Sequence, residues 1–121
     1  MDRRQALGIR GEDLACEELK RLGYEVLDRR FRTRFGELDI VARDKRVIVF
    51  VEVRARSSCR FGSPFESVTS QKQRRICAMA ETYLFVKRLV GAACRFDVVS
   101  VIEEQGRCKV ELLKGAFDLR R

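Results

Sequence analysis

The chain has 121 residues, of which 45% are hydrophobic and 36% are charged, a balance that predicts one folded domain rather than a disordered chain. The 26 Lys and Arg residues, 20 of them Arg, outnumber the 18 Asp and Glu residues and give a net charge of +8, which predicts a polyanionic partner such as DNA. The sequence has no His, which excludes Ser-His-Asp and Cys-His catalysis, His-ligated zinc and a His general base.

The first half of the chain predicts one helix followed by three strands. Leucines at helical spacing indicate a helix over residues 5–22, although Gly8 and Gly11 weaken it and indicate close packing or a bend. Strands are predicted over residues 24–30, 37–43 and 46–54, with an arginine-rich loop over residues 29–36 and a tight turn at Asp44 and Lys45. The third strand is apolar on both faces, so we expect it in the centre of a sheet.

The second half predicts a helix and two more strands. Ser63 and Pro64 have the residue types of a helix start, Ser70 with Gln73 repeats the signature, and the helix is expected to run to about Arg88. Strands follow over residues 96–102 and 108–113, and residues 115–121 are expected to form a basic C-terminal tail. The order α-β-β-β-α-β-β predicts an α/β sandwich on a mixed central sheet flanked by helices, because the second helix must cross over to reach the fourth strand.

The five cysteines are not spaced as a metal knuckle, and their odd number is typical of reduced thiols in a cytoplasmic protein. No apolar run at the N-terminus has the length of a signal peptide. No apolar stretch is long enough to span a bilayer either. We therefore expect a cytoplasmic protein without a membrane partner.

A carboxylate stands directly after the most apolar strand, where a buried charge needs a partner or a metal. With a two-residue turn at Asp44 and Lys45, Asp39 would face Phe50, Glu37 would face Glu52, and Asp39 and Glu52 would be diagonal neighbours on one face. Two such carboxylates can bind one Mg²⁺ or Mn²⁺. A three-residue turn would break this parity, and the alternative reading is a solvated strand face with ordinary ion pairs.

The chemistry of such a site is phosphodiester hydrolysis, with a metal that polarises phosphate and activates water. Arg54 is placed to stabilise the developing negative charge.

Several motifs resemble those of the YraN-like family of bacterial proteins. They are Gly36-Glu37-Leu38-Asp39, Val49-Phe50-Val51-Glu52-Val53-Arg54-x-Arg56, Phe61-Gly62-x-Pro64, Lys72, Ala80-x-x-Tyr83-Leu84 and Arg95-Phe96-Asp97-Val98-Val99. The resemblance spans nearly the whole chain and implies a restriction-endonuclease-like, PD-(D/E)xK nuclease fold, similar to archaeal Holliday-junction resolvases.

The resemblance also implies roles for particular residues. Asp39 and Glu52 would bind the metal and Glu12 would join them. Apart from the resemblance, strand alternation puts Glu37 on the same face as a possible additional acid. The final Lys of the superfamily pattern is Arg54 here, and Arg can stabilise charge but cannot act as a base.

Basic residues predict the nucleic-acid contacts. The arginine-rich loop is expected to follow phosphates, with Phe31 available for base stacking, and the start of the second helix is expected to bind phosphate. The predicted contact residues are Arg29, Arg30, Arg32, Arg34, Arg56, Lys72, Arg74 and Arg75. Lys72 is also an alternative for the missing Lys, and Asp97 is expected to be structural.

Three functions stay open from the sequence. The first is a Mg²⁺- or Mn²⁺-dependent endonuclease acting on DNA, branched or single-stranded forms included. The second is a catalytically inactive nucleic-acid-binding module with the same fold, which Arg54 in place of Lys favours. The third is an assembly protein whose basic surface binds an acidic protein. A homodimer, and a net charge that serves solubility alone, are further alternatives.

Overall fold

The fold is known from a computed structural model, which describes residues 1–57 and 68–118. The elements are α1 (Arg3–Arg21), β1 (Glu25–Thr33), β2 (Gly36–Asp44), β3 (Val47–Arg56), α2 (Ser70–Val86), β4 (Cys94–Glu104) and β5 (Arg107–Phe117). The predicted order α-β-β-β-α-β-β is confirmed. The architecture is consistent with the restriction-endonuclease-like fold that the family resemblance implied.

The five strands form one mixed sheet in the order β1-β2-β3-β4-β5. β3 lies in the centre, antiparallel to β2 and parallel to β4. Val49 and Val51 are buried on this strand, so the prediction of an interior third strand is confirmed. The parallel pairing of β3 with β4 requires a crossover, and α2 is part of it.

The two helices cover opposite faces of the sheet. Ala15, Cys16 and Leu19 of α1 share one core cluster with Val49 and Val51. The other face belongs to α2, where Tyr83 packs edge-on against Phe50 at a centroid distance of 5.8 Å. This explains the run of apolar residues in β3, because each of its faces meets a helix.

The turn between β2 and β3 lies one residue later than predicted. It comprises Lys45 and Arg46, and Asp44 pairs with Val47. The predicted pairs Asp39–Phe50 and Glu37–Glu52 are therefore wrong. The observed register pairs Ile40 with Val51, and one further step places Asp39 level with Glu52. The turn still has two residues, so both carboxylates keep the predicted common face.

The arginine-rich segment is not a loop. It belongs to β1, which pairs with β2 up to Thr33 and Gly36, and only Arg34 and Phe35 form the turn. Arg30 has a φ of 53° within this strand, a conformation that non-glycine residues rarely adopt. The loop prediction failed because a run of arginines is typical of a solvated loop. β1 is an edge strand that pairs only with β2, and its polar composition does not reveal this pairing.

The start of α2 differs from the expected signature by one residue. Thr69 caps the helix and its Oγ1 accepts a hydrogen bond from the N–H of Lys72 at 3.3 Å. The alternative start at Ser63 and Pro64 lies outside the described residues. At the other end of the chain, β5 continues to Phe117, so the segment predicted as a basic tail begins as a strand.

Among the described cysteines, Cys16 and Cys77 are buried in the two core clusters. In the described part of the chain, neither helix has the length and apolar character needed to cross a membrane.

The two glycines of α1 differ in their surroundings, and this predicts opposite effects of alanine. A Cβ on Gly11 would lie 2.8 Å from the Cβ of Ala55, whereas a Cβ on Gly8 would meet no atom within 4 Å. We expect Gly11→Ala to lower the free energy of unfolding by about 1–3 kcal/mol through overpacking. Gly8→Ala should raise it by roughly 0.5–1 kcal/mol. Urea denaturation of both variants checks this, and a stable Gly11→Ala protein would contradict the close contact of α1 with β3.

Candidate active site

Two acidic side chains meet beside the C-terminal half of β3. Asp39 comes from β2 and Glu52 from β3, and each carboxyl group acts on the pKa of the other. Asp39 Oδ2 also accepts a hydrogen bond from the backbone N–H of Val53 at 2.8 Å. Glu52 retains only 20% of its side-chain exposure. The β2–β3 register thus produces the pair that the sequence predicted, in a closer arrangement.

Burial governs the protonation of this pair. Burial, followed by the charge of Asp39, raises the pKa of Glu52 to about 8. Burial also raises the pKa of Asp39, although the hydrogen bond from Val53 N–H opposes the change. With its pKa raised to about 8, Glu52 favours its protonated form near neutral pH.

Two cations flank the pair. Arg54 Nη1 lies 3.4 Å from Glu52 Oε1, and its charge lowers the pKa of both acids. Lys72 of α2 acts on Glu52 in the same direction. Burial, then the charge of Arg54, lowers the pKa of Lys72 itself. α2 therefore brings a second cation, Lys72, to the acidic pair. From the sequence, Lys72 is predicted as a phosphate contact and also as an alternative for the missing Lys.

The pair opens into a cavity of about 320 Å³, here called the carboxylate pocket. Its lining residues are Phe35, Gly36, Glu37, Asp39, Glu52, Arg54, Lys72, Arg75, Ile76 and Met79. The hairpin of β1 and β2 forms one wall and the first turns of α2 form the other. Carboxylates, three cations and an aromatic ring thus share one small cavity.

A second cleft of about 760 Å³ lies on the α1 side of the same strands. Asp39, Glu37 and Arg54 border this cleft as well as the carboxylate pocket, and Arg56 and Glu12 border the cleft alone. Acidic residues at the sheet end are therefore accessible from both sides of the sheet.

Glu12 is buried and held by arginines. Arg29 Nε lies 3.2 Å from its Oε1, and Arg30 Nε lies 3.1 Å from its Oε2. The charge of Glu12 still raises the pKa of Asp39, so Glu12 acts on the pair through space. Its role as a direct metal ligand stays a prediction.

The other predicted contact residues spread over the surface. Arg29 also pairs with Asp13 at 2.7 Å. Arg32 pairs with Glu37 at 3.2 Å. Arg74 is exposed and lines neither cavity. The structure therefore groups Arg54 and Arg56 of β3 with Lys72 and Arg75 of α2 around the acids, and gives Arg29 and Arg30 an ion-pairing role.

The acidic pair fits a small divalent cation by its chemistry. Mg²⁺ usually binds one or two carboxylates and takes its remaining ligands from water and substrate phosphate. Within residues 1–57 and 68–118, no three His, Cys, Asp or Glu side chains are grouped as a metal site. Asp39 and Glu52 are two oxygen donors at this position, and a cation there would offset their negative charge.

The aromatic residue at the site is not the one that the sequence indicated. Phe31 packs edge-on against Tyr83 at a centroid distance of 4.9 Å and lies partly buried against one core cluster, so its base-stacking option stays a prediction. Phe35 lines the carboxylate pocket instead. The signal for Phe35 in the sequence was an aromatic residue directly before a glycine, in the turn between β1 and β2.

Residues 11–101 match the model of a family described as "Uncharacterised protein family UPF0102". This chain belongs to that family. A UPF0102 protein of Geobacter metallireducens is 46% identical over 115 residues, which cover 95% of this chain and 94% of the relative. UPF0102 proteins of Syntrophotalea carbinolica and Persephonella marina are 47% and 43% identical, over 96% and 93% of this chain and 94% and 93% of each relative. The YraN-like resemblance is confirmed as family membership.

The raised pKa of Glu52 predicts a pH-dependent stability for this UPF0102 protein. The folded state binds this proton more tightly than the unfolded state does, so the proton stabilises the fold. The stabilisation is complete below the ordinary Glu pKa of about 4.3. That contribution is lost as pH rises to about 8. The Glu52→Gln variant has no proton to lose at this position. Its free energy of unfolding, relative to that of wild type, should therefore increase between pH 5 and pH 8 by more than about 1 kcal/mol. Thermal melts without divalent cations measure the difference. A constant difference across this range would contradict the raised pKa of Glu52.

Proposed function

We propose that the chain is a Mg²⁺- or Mn²⁺-dependent nuclease that hydrolyses phosphodiester bonds in DNA. The observation that carries the proposal is the pair of Asp39 and Glu52, which lie level on neighbouring strands and line a pocket together with three cations. A purely structural ion-pair network gains nothing from two acids side by side, since like charges on neighbouring strands are destabilising. A site that binds a cation and a phosphate accounts for both the acids and the surrounding positive charge.

The basic side chains support a phosphate-bearing substrate. Arg54, Lys72 and Arg75 line the carboxylate pocket, and Arg56 lies on the neighbouring cleft. Together with the net charge of +8, they favour a polyanion over a small neutral substrate. A phosphate held between them would lie over the acidic pair.

Asp39 and Glu52 would hold the divalent cation. When bound, such a cation polarises a phosphate oxygen and lowers the pKa of a water ligand. The N–H of Val53 fixes the orientation of Asp39 through its 2.8 Å hydrogen bond. Glu52 must release its proton to serve as a ligand, so activity should rise with pH toward its raised pKa.

Arg54 and Lys72 would serve the transition state by charge. Arg54 remains cationic at any working pH, and its fixed charge beside Glu52 can stabilise negative charge that develops on phosphate. Lys72 reaches the same pocket from α2 and supplies the second cation. Neither role requires proton transfer.

A catalytically inactive DNA-binding module is the second candidate. Arg54 replaces the Lys of the nuclease pattern and forms an ion pair with Glu52 at 3.4 Å. A fixed cation this close to Glu52 would compete with a metal for its carboxylate, and this favours the module. A DNA-binding module would have no use for the energetically costly burial of Asp39 and Glu52. We therefore place the module second.

The substitution Asp39→Asn separates the two candidates. It removes one ligand and the repulsion together, and an amide oxygen can still accept from Val53 N–H. For wild type we expect Mn²⁺ to stabilise the fold by about 2.7 kcal/mol at a hundredfold excess over its dissociation constant. The variant should show no Mn²⁺-dependent shift, no cleavage of DNA, and unchanged DNA affinity. Thermal melts with and without Mn²⁺ and a cleavage screen on plasmid and branched DNA measure these quantities.

Glu104→Gln is the matched control, because Glu104 is exposed at the end of β4 and lines neither cavity. It should retain the Mn²⁺ response of wild type. If wild type shows no shift at millimolar Mn²⁺, with or without DNA, the metal site is wrong and the binding module takes its place.

The position of the basic residues predicts which charges set the salt dependence of DNA binding. Each phosphate contact contributes about −0.9 to the log–log slope of affinity against salt on duplex DNA. Lys72→Gln with Arg75→Gln should therefore flatten that slope by roughly 1.8. Lys45→Gln with Arg46→Gln removes the same charge at the opposite end of β3 and should change the slope little. If the two double variants had equal slopes, the start of α2 would not be part of the DNA interface.

A further inference from the structure

The tip of the β1–β2 hairpin places an aromatic ring at the carboxylate pocket. Phe35 lines this pocket together with Asp39 and Glu52, and it retains 39% of its exposure. It is the only aromatic residue among the described lining residues of either this pocket or the α1-side cleft. Its ring is therefore available to a ligand that enters the pocket.

The hairpin tip is held in one conformation by its own residues. Thr33 Oγ1 accepts a hydrogen bond from Phe35 N–H at 3.1 Å and donates one to the carbonyl oxygen of Gly36 at 2.9 Å. Gly36 has a φ of 133°, and a Cβ there would lie 3.4 Å from Met79 Sδ of α2. The turn thus packs closely against α2 and fixes Phe35 relative to the pocket.

One cation contacts the ring, and others line the same pocket. The guanidinium of Arg34 lies over one face, 4.8 Å from the ring centroid. Lys72 and Arg75 line the same pocket from α2. An aromatic platform beside cations that follow a phosphate backbone is typical of surfaces that bind single-stranded nucleic acid. Paired bases in a duplex are stacked on their neighbours and do not offer their faces to such a ring.

We propose that Phe35 stacks on an unpaired base next to the phosphate held over Asp39 and Glu52, so that the preferred substrate is DNA with unpaired nucleotides. This inference rests on the proposed function for the location of the phosphate. Binding of the base beside the acids would select single strands, flaps and junctions over uninterrupted duplex. The ring would act as a specificity-determining contact and take no part in bond cleavage.

Binding measured without divalent cations tests the inference independently of catalysis. Fluorescence anisotropy compares one labelled oligonucleotide as a single strand and as a duplex, at low salt with a chelator present. Phe35→Ala should weaken single-strand binding by about tenfold, the lower part of the range for one base stack, and leave duplex binding within about twofold. Phe35→Tyr should retain wild-type affinity, whereas Phe35→Leu keeps apolar bulk without the ring and should resemble Phe35→Ala.

Phe85→Ala is the matched control, since Phe85 is 76% exposed on the last turn of α2 and lines neither the pocket nor the cleft. It should leave both affinities unchanged. Thermal melts of all variants show whether the hairpin still folds, and Phe35→Tyr and Phe35→Leu keep the test valid if Phe35→Ala unfolds.

The outcomes distinguish this inference from the proposed function. Equal losses on single strand and duplex, or a Phe35→Leu protein that binds like wild type, would overturn base stacking while leaving the nuclease proposal in place. Wild type that binds neither form of DNA at low salt would overturn the nucleic-acid function, and the stacking subsite with it. A loss confined to single strands, restored by Tyr, supports the subsite even if no cleavage is found.

Discussion

The central strand β3 imposes the main constraint on this fold. From Val47 to Val51 both of its faces are apolar, so the strand is stable only between two neighbouring strands and beneath a helix on each side. The α2 crossover satisfies this requirement, because it carries the chain over one face before β4 pairs in parallel. α1 covers the other face, and Gly11 allows its close approach to Ala55. The remaining elements are arranged around this strand.

The same constraint creates the candidate site. The apolar run ends at Glu52, still close enough to the core for burial to raise its pKa, and the β2–β3 register brings Asp39 to the same level. Burial makes two charges unfavourable there, which favours a bound proton. Under the proposed function, a divalent metal would compete with this proton for the same oxygens, and this would link the stability of the fold to its chemistry.

The basic residues on the two sides of the sheet have different surroundings. On the α1 side, Arg29 and Arg30 form ion pairs with Glu12 and Asp13, which reduces the arginine charge available to a ligand. On the α2 side, Lys72 and Arg75 line a pocket together with an exposed ring. Under the proposed function, a nucleic acid would contact the α2 side more strongly, although three of the nine residues of β1 are arginines.

Alternation and spacing in the sequence determined the order of elements, the central position of β3 and the common face of Asp39 and Glu52. The common face held although the turn was misplaced by one residue, because the register moved by two and side chains alternate with a period of two. Only the tertiary structure decided that the acids lie level rather than diagonal, that Phe35 rather than Phe31 reaches the site, and that Glu12 binds two arginines. These contacts join residues from separate elements, and their distances depend on the packing of helices against the sheet, which local periodicity does not specify.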